Sequence, residues 1–388
     1  MPFRRIVFWT HLVAGLVAGA VIAIMSATGI AIAFEEEMLA WFDRRVSRIE
    51  EPSGSLLPVA ELVTRIEAQR PGFFATSVTV SNDPLAAYEF HAGREGPLYV
   101  DPYTGVARDS QAHRAHEVIH KLEEWHRWLG AKDGVNSAAR LVTGASNLAF
   151  VVLCVTGLYL WFPRRWSRRA LRPLLVLVPG SRGKARDYNW HTVLGFWSLP
   201  VLFVLAVTAV PISFEWGHRL VFVLAGEEPP KARNYGMMAV PPPVVPRPAT
   251  NAVPLAAEAW IASLRREFPE SRKIQVQLPG DISPATPKPV NGGVTLPDNM
   301  PSRAYVPVAI DPFTGEVLEA VRFTERSTGL QARVWIRFLH TGAAFGVPGK
   351  IIATLATALS LVLVWTGLAL SWRRFFSRRR SGVAEPAR

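Results

Sequence analysis

The sequence has very little cysteine, with Cys154 the single one among 388 residues. One thiol cannot form an intramolecular disulfide, and the C-x-x-C-H signature of covalently attached c-type haem is absent. Iron–sulfur clusters ligated by several cysteines are excluded for the same reason. A metal or redox centre in this chain must therefore be held by other side chains and without covalent attachment.

Charge is missing from four long stretches. Each lacks Asp, Glu, Lys and Arg and exceeds the roughly 20 apolar residues that cross a bilayer. The four predicted spans are Ile6–Phe34, Leu141–Phe162, Tyr188–Phe214 and Ile351–Trp372. The sequence therefore predicts a four-helix membrane core in contact with lipid.

Acidic residues are scarce between the second and third spans and after the fourth, where many arginines lie. Much of the positive charge behind the net +12 is therefore in segments that share one side of the membrane. Short arginine-rich segments stay in the cytoplasm. Both termini and the loop are therefore expected inside, and the segments 35–140 and 215–350 outside. This pattern indicates membrane topology, and we expect no nucleic-acid partner. The basic residues are Arg4, Arg5, Arg164, Arg165, Arg168, Arg169, Arg172, Arg182, Lys184, Arg186, Arg373, Arg374, Arg378, Arg379 and Arg380.

Sequence motifs of the common soluble enzyme classes are also missing. No nucleotide-binding glycine loop, Ser-His-Asp set, H-E-x-x-H helix or carboxylate pair stands out. Acid–base and nucleotide chemistry are therefore not indicated.

The chain reads as an internal duplication. His11 aligns with His191 and Thr28 with Thr208, with a separation of 17 residues in both halves. Two Asp-Pro-aromatic-Thr-Gly turns follow, at 101–105 and 311–315, and Thr-Gly-Leu recurs later in each half. Each repeat is span, outer module, span, so an axis along the membrane normal is expected to relate the halves.

Each outer segment is predicted to form a small α+β module. The proline- and glycine-rich stretches Glu227–Pro254 and Pro279–Pro301 are predicted as extended loops. The predicted helices are Pro58–Gln69 and Leu255–Phe268, and the predicted strands are Phe74–Val80, Ala86–His91, Ile274–Leu278 and Tyr305–Ile310.

Four histidines recur at matching places, each with a small residue four positions later. His11, His126, His191 and His340 are followed by Gly15, Gly130, Gly195 and Ala344. Residues i and i+4 share a helix face, so each imidazole has cleared space beside it, as a flat metal macrocycle requires. We predict two noncovalent haems b, one on His11 and His191 near the cytoplasm and one on His126 and His340 near the outside, with electron flow across the bilayer. Interfacial, structural and zinc-binding roles are the alternatives.

Other histidines carry weaker signals. His113, His116 and His120 fit an amphipathic surface helix over Gln111–His126; alternatively, one of them replaces His126 or binds metal at the substrate site. His91 and His218 have no counterpart in the repeat and are predicted to be structural.

These motifs together resemble the PepSY-associated transmembrane helix family. The matching segments are His11-Leu-Val-Ala-Gly with Thr28-Gly29, Trp125-His126-Arg127-Trp128-Leu129-Gly130, Trp190-His191-Thr-Val-Leu-Gly195, Leu339-His340-Thr341-Gly342 and both Asp-Pro-x-Thr-Gly turns. The resemblance covers nearly the whole chain. It implies an all-α four-helix membrane core carrying two PepSY-like extracytoplasmic modules in a bacterial inner membrane.

Some members of the family are ferrisiderophore reductases that carry haem b. The resemblance therefore implies an oxidoreductase that reduces a ferric siderophore or other ferric chelate outside the cytoplasm and releases Fe(II), with quinol or a cytoplasmic reductase as electron donor. One alternative is a haem electron-transfer subunit for a partner protein or a quinone. The other is a non-redox membrane protein that uses its PepSY modules for ligand binding or regulation.

The expected domain order follows from the spans. It is transmembrane helix 1 (1–34), outer module 1 (35–140), transmembrane helix 2 (141–162), basic loop (163–187), transmembrane helix 3 (188–214), outer module 2 (215–350), transmembrane helix 4 (351–372) and basic tail (373–388).

Overall fold

The computed structural model describes residues 2–52, 54–93, 96–163, 166–230, 243–302 and 304–376. Arg164, Arg165, Arg378, Arg379 and Arg380 of the predicted basic segments lie outside the described residues, as does part of the first Pro-rich stretch.

Helices and strands alternate along the chain in two similar series. The helices are α1 Pro2–Ile32, α2 Glu35–Asp43, α3 Val59–Gln69, α4 His113–Trp128, α5 Ala138–Trp161, α6 Arg168–Leu175, α7 Gly183–Ser213, α8 Glu215–Leu224, α9 Ala257–Glu267, α10 Thr328–His340 and α11 Gly346–Phe376. The strands are β1 Ser77–Ser81, β2 Tyr88–His91, β3 Leu98–Val100, β4 Ala107–Asp109, β5 Lys273–Gln277, β6 Val290–Thr295, β7 Val306–Ile310 and β8 Val317–Ala320.

Four helices, α1, α5, α7 and α11, are long and apolar enough to cross a membrane. They form a closed bundle in which α1 and α7 each pack against both α5 and α11. Polar side chains join them inside: Ser360 donates to Ser26 at 2.8 Å, and Asn147 donates to the Ala206 carbonyl at 2.9 Å. Such hydrogen bonds hold helices together where lipid gives no hydrophobic drive for association.

All eight strands form one antiparallel sheet in the order β4-β3-β2-β1-β5-β6-β7-β8. The prediction of two small α+β modules did not include this pairing: β1 of the first module pairs with β5 of the second, with Val78 opposite Val276. Apolar side chains on one face pack beneath α3 and α9 in a common core. The two modules therefore share both a sheet and a hydrophobic core.

The prediction of an extended loop over Pro279–Pro301 is wrong in part, because β6 lies within it. Val290 and Val294 of this strand are buried in the core. Gly292 faces the backbone of β5, where a Cβ would come within 2.5 Å of the Gln275 carbonyl oxygen. The glycines that made the segment read as a loop permit this close approach.

The two Asp-Pro-aromatic-Thr-Gly turns are confirmed. Asp101 accepts hydrogen bonds from the backbone N–H groups two and three residues later, and Asp311 does the same. Gly105 and Gly315 close the turns with φ of +71° and +73°, which glycine adopts without strain.

The second face of the sheet contacts the end of α2 and the segment that follows it. Tyr99 lies on this face, and its hydroxyl donates to Asp43 at the end of α2, the helix that follows α1. The three strands next to β3 carry polar residues in register with Tyr99. They are Glu89 on β2, Thr79 on β1 and Gln275 on β5. This row of the sheet is therefore linked through Tyr99 and Asp43 to the start of α4, the helix that carries His126.

Candidate cofactor site

The inner histidine pair joins α1 to α7. The ring centroids of His11 and His191 are 6.3 Å apart, with the rings perpendicular. Nδ1 of His11 lies 2.9 Å from Oγ1 of Thr156, and Nδ1 of His191 lies 2.9 Å from Oγ1 of Thr366. Each imidazole is therefore anchored on the span that follows its own in the chain.

The threonine hydroxyls fix the tautomer of this pair. Thr156 donates its proton to the Val152 carbonyl at 2.6 Å, and Thr366 donates to the Val362 carbonyl at 2.8 Å. Each hydroxyl can then only accept from histidine, so Nδ1 carries the proton. Nε2 of His11 and of His191 is left with a free lone pair.

The outer pair joins α4 to α10. The ring centroids of His126 and His340 are 6.4 Å apart. Nδ1 of His126 donates to the Met25 carbonyl at 2.9 Å, and Nδ1 of His340 donates to the Leu205 carbonyl at 3.0 Å. A carbonyl oxygen only accepts, so Nδ1 is protonated here too. All four candidate ligands thus share the tautomer that leaves Nε2 for a metal.

The spacing of both pairs fits one metal ion between two imidazoles. A metal–nitrogen bond is about 2.0 Å and the nitrogen lies about 1.2 Å from the ring centre, so two axial imidazoles have centres about 6.4 Å apart. The observed separations are 6.3 and 6.4 Å. The residues present fit a haem iron with two histidine ligands at each place.

The small residues that give the imidazoles room differ from the predicted ones. A Cβ on Gly157 would lie 3.3 Å from Cε1 of His11, and one on Gly29 would lie 3.2 Å from Cε1 of His126. Gly367 stands in the same relation to His191, at 3.5 Å. The signal for these glycines was the repeated Thr-Gly dipeptide.

The residues four positions after each histidine have other roles. Gly15 and Gly195 face leucine side chains of α5 and α11 at ordinary contact distance. Gly130 and Ala344 lie beyond the ends of α4 and α10, so they share no helix face with their histidines. The spacing argument therefore named histidines that lie together in the structure, but the small residues it relied on have other roles.

Two acids position the helices that carry the outer pair. Asp43 is buried and accepts from the backbone N–H groups of Gln111 and Ala112, at 2.7 and 3.1 Å, directly before α4. Glu227 accepts from the backbone N–H of Gly329 in the first turn of α10 at 2.9 Å. An acid at a helix N-terminus satisfies its free N–H groups. Neither acid was singled out from the sequence.

The Asp43 site also ties the sheet to α4. Besides the backbone groups, Asp43 accepts from the Tyr99 hydroxyl at 3.2 Å and from the Ser110 hydroxyl at 2.8 Å. Burial, followed by the nearby charges of Glu89 and Asp43, raises the pKa of Tyr99, which keeps its hydroxyl protonated as a donor. Sheet, α2 and α4 therefore meet at one buried carboxylate.

The other histidines lie apart from the pairs. His218 is buried on α8, where its Nδ1 accepts from Nε of Arg333 at 3.0 Å. His91 lies on β2, opposite Ser77. His116 and His120 lie on one side of α4 with ring centroids 5.3 Å apart.

The two pairs are well separated along α1. His11 and Met25, whose carbonyl anchors His126, are 14 positions apart in the sequence. At 1.5 Å per residue this is about 21 Å. The pairs therefore occupy opposite ends of the bundle.

A comparison of the sequence with known families finds a match over almost the whole chain. The sequence profile described as the PepSY-associated TM region matches residues 8–374, which includes all four paired histidines and the complete sheet. The chain belongs to this family. A search of curated proteins finds no match. As a PepSY-associated membrane protein, it combines four apolar helices with an eight-stranded antiparallel sheet.

Proposed function

We propose that this protein holds two haems b and carries electrons across a bacterial inner membrane to reduce a ferric siderophore or another ferric chelate. The observation that carries the proposal is the orientation of the four histidines. Each has its Nδ1 proton engaged by a hydroxyl or a carbonyl, and each pair has the spacing expected of two imidazoles that would share one metal ion. A neutral imidazole with the lone pair on Nε2 is a form of histidine that can ligate haem iron.

The residues of the chain would hold and orient the cofactors. His11 and His191 would hold the inner group, and His126 and His340 the outer one. When bound, haem supplies one-electron chemistry in a site that has no acid–base signature. The hydrogen bonds to Nδ1 raise ligand basicity and fix the ring planes.

Reduction would release the metal from its chelate. Siderophores bind Fe(III) through hard oxygen donors, which hold Fe(II) less well. One electron converts Fe(III) to Fe(II), and the chelator leaves intact without a change in its bonds. The polar face of the sheet supports this step, because it suits a hydrophilic chelate and is linked through Tyr99 and Asp43 to the start of α4, the helix that carries His126.

The direction of electron flow follows from the distribution of charge. The basic segments favour cytoplasmic termini and a cytoplasmic loop around α6, which places the sheet outside. Electrons would then enter near His11 and His191, from quinol or a cytoplasmic reductase. The repeated contacts of the two halves support an origin of the chain by internal duplication.

The decisive experiment is the optical spectrum of the purified protein, oxidised and dithionite-reduced, with pyridine haemochrome analysis. We expect about two haems b per chain, extractable by acid–acetone, and oxidation of the reduced protein on addition of a ferric siderophore. Protein that stays haem-free with adequate haem supply would contradict the proposal and favour a non-redox ligand-binding or regulatory role. Haem without chelate reduction would favour an electron-transfer subunit for a partner protein or a quinone.

A further inference from the structure

Helix α4 carries a polar flank beside the face that bears His126. His116, His120 and Glu123 follow one another at the spacing i, i+4, i+7, which places them along one side of the helix. The imidazole centroids of His116 and His120 are 5.3 Å apart, and Nδ1 of His120 lies 3.8 Å from Oε2 of Glu123. Three side chains of metal-ligating type therefore meet on one surface.

The opposite flank of the same helix carries exposed apolar and basic side chains, with Arg114 and Lys121 beside Val118 and Trp125. Val118 and Trp125 are 57% and 49% exposed, and they lie seven residues apart on one side of α4. A flank that combines Trp125 with Arg114 and Lys121 suits the lipid headgroup region beside the bundle. The flank of His116 and His120 lies on the other side of α4, and the side chains of His120 and Glu123 there are 52% and 34% exposed.

We propose that His116, His120 and Glu123 form a binding site for a divalent first-row transition-metal ion. Two imidazoles and one carboxylate suit Fe(II) among other ions of this class. Given the proposed function, on which this part rests, the ion is the Fe(II) released by reduction at the outer pair.

The position of the site fits a relay. His120 precedes His126 by six residues on α4 and His116 by ten, which corresponds to a rise of about 9 and about 15 Å. Fe(II) set free beside the outer pair would meet these imidazoles on its way from the bundle to the outer solution. Capture there would separate the ion from its former chelator.

The exposure of His120 and Glu123 favours an exchangeable site over a permanent one. Across the described parts of the chain, no three His, Cys, Asp or Glu side chains are already arranged to enclose a metal ion. The side chain of His120 is 52% exposed, so water would complete the coordination. An open site of this kind binds and releases its ion readily, as a transfer step requires.

The test is Zn²⁺ binding to the haem-loaded full chain in detergent, measured by calorimetry. Zn²⁺ is redox-silent, and haem keeps the paired histidines occupied. We expect one ion per chain, with at least about ten-fold weaker binding in His116→Ala and His120→Ala. Glu123→Gln should weaken binding as well, and anaerobic Fe(II) should compete with Zn²⁺.

His113→Ala is the matched control, because His113 is an exposed histidine of the same helix that pairs with Glu117 at 3.5 Å. It should leave Zn²⁺ affinity unchanged. Haem spectra confirm that each variant is folded, and Cu²⁺ bound to the unaltered chain should show two nitrogen ligands by electron paramagnetic resonance.

Equal Zn²⁺ affinity in the parent, His116→Ala and His120→Ala would overturn the site. Chelate reduction without metal binding would overturn it as well, while leaving the proposed function intact. Metal binding to a protein that reduces no chelate would instead overturn the assignment of Fe(II) as its ion, together with the proposed function.

Discussion

At the scale of single residues, the decisive feature is the hydrogen-bond partner of each imidazole. Thr156 and Thr366 hold the inner pair, and backbone carbonyls hold the outer pair. These partners make the four histidines differ from His218, which is held by an arginine on a neighbouring helix. Candidate ligands can therefore be distinguished by substitution one at a time.

Replacing His11 or His191 by Ala should remove or perturb the inner haem and leave the outer haem reducible by dithionite. An iron that loses one axial ligand changes its spectrum, and the deleted ring leaves a cavity. His126→Ala or His340→Ala should instead affect the outer haem and abolish ferric-chelate reduction. Difference spectra of each variant measure this, with His218→Ala as the control that retains both haems. Loss of a haem in His116→Ala or His120→Ala but not in His126→Ala would show the outer assignment to be wrong.

Gly157 and Gly15 offer a matched pair of substitutions. Gly157→Ala places a Cβ 3.3 Å from Cε1 of His11, whereas Gly15→Ala meets only a leucine side chain at 3.7 Å. We expect the first to shift the spectrum or lower the occupancy of the inner haem and the second to leave both unchanged. Haem content and the reduced spectrum of the two variants test this. A larger effect at Gly15 would restore the role that the sequence spacing assigned to it.

The four histidines were predictable from the sequence because they repeat, and the same is true of the Thr-Gly dipeptides beside them. Which small residue contacts each histidine was not predictable from spacing along the sequence. A residue four positions away is a neighbour only while the helix continues, and α4 and α10 end within two residues of His126 and at His340 respectively. Gly157 reaches His11 because two helices pack, which spacing within one helix cannot reveal.

At the scale of elements, each outer ligand lies on a helix whose N-terminus is held by an acid. Asp43 is the last residue of α2 and fixes the start of α4, and Glu227 follows α8 and fixes the start of α10. The buried contacts of Asp43 span about 70 residues of sequence, from the end of α2 to the start of α4. Only the folded sheet brings these segments together, so no local pattern of residues indicated the contacts of Asp43.

Asp43→Ala should therefore disturb the outer haem selectively. The substitution leaves two backbone N–H groups and two hydroxyls without their acceptor, and loss of a helix cap alone costs about 1 kcal/mol. We expect lower outer-haem occupancy and a lower melting temperature, with the inner haem spectrum retained. Asp109→Ala is the control, since Asp109 is exposed and pairs only at the surface with Arg70. Equal loss of both haems in Asp43→Ala would contradict a local role.

At the scale of the whole molecule, the spans and the two tight turns followed from composition and turn chemistry, whereas the joining of the modules did not. Alternation of apolar residues identifies a strand but not its partner. The pairing of β1 with β5 links positions about 200 residues apart, and β6 was hidden by its glycines. The single sheet is a property of the assembled chain.

The shared sheet can be tested by cross-linking. Thr79 and Gln275 are opposite each other in the β1–β5 pair and on its polar face. Thr79→Cys combined with Gln275→Cys should form a disulfide under mild oxidation, seen as a mobility shift that reductant reverses. Thr79→Cys with Asn291→Cys is the control, because Asn291 lies on β6, two strands and about 10 Å away from β1 across the sheet. Equal cross-linking of both pairs would contradict the register.

The topology has its own test. Reporter fusions after residues 110 and 320 should behave as periplasmic, and a fusion after residue 180 as cytoplasmic, because the arginine-rich segments stay inside. Activity of a periplasmic reporter and of a cytoplasmic reporter at each site gives the answer. The reverse pattern would reverse the proposed direction of electron flow.

The seam between β1 and β5 has a consequence for any attempt to divide the molecule. A fragment that ends after α5 would expose β1 as an open edge strand, with unpaired backbone groups along Ser77–Ser81. A second molecule of the fragment exposes the same β1 edge, and the two β1 strands can pair in the antiparallel direction. Such a fragment is therefore expected to self-associate through β1. The first half of the chain is therefore not expected to behave as a smaller, independent version of the protein, because it lacks the strand that covers β1.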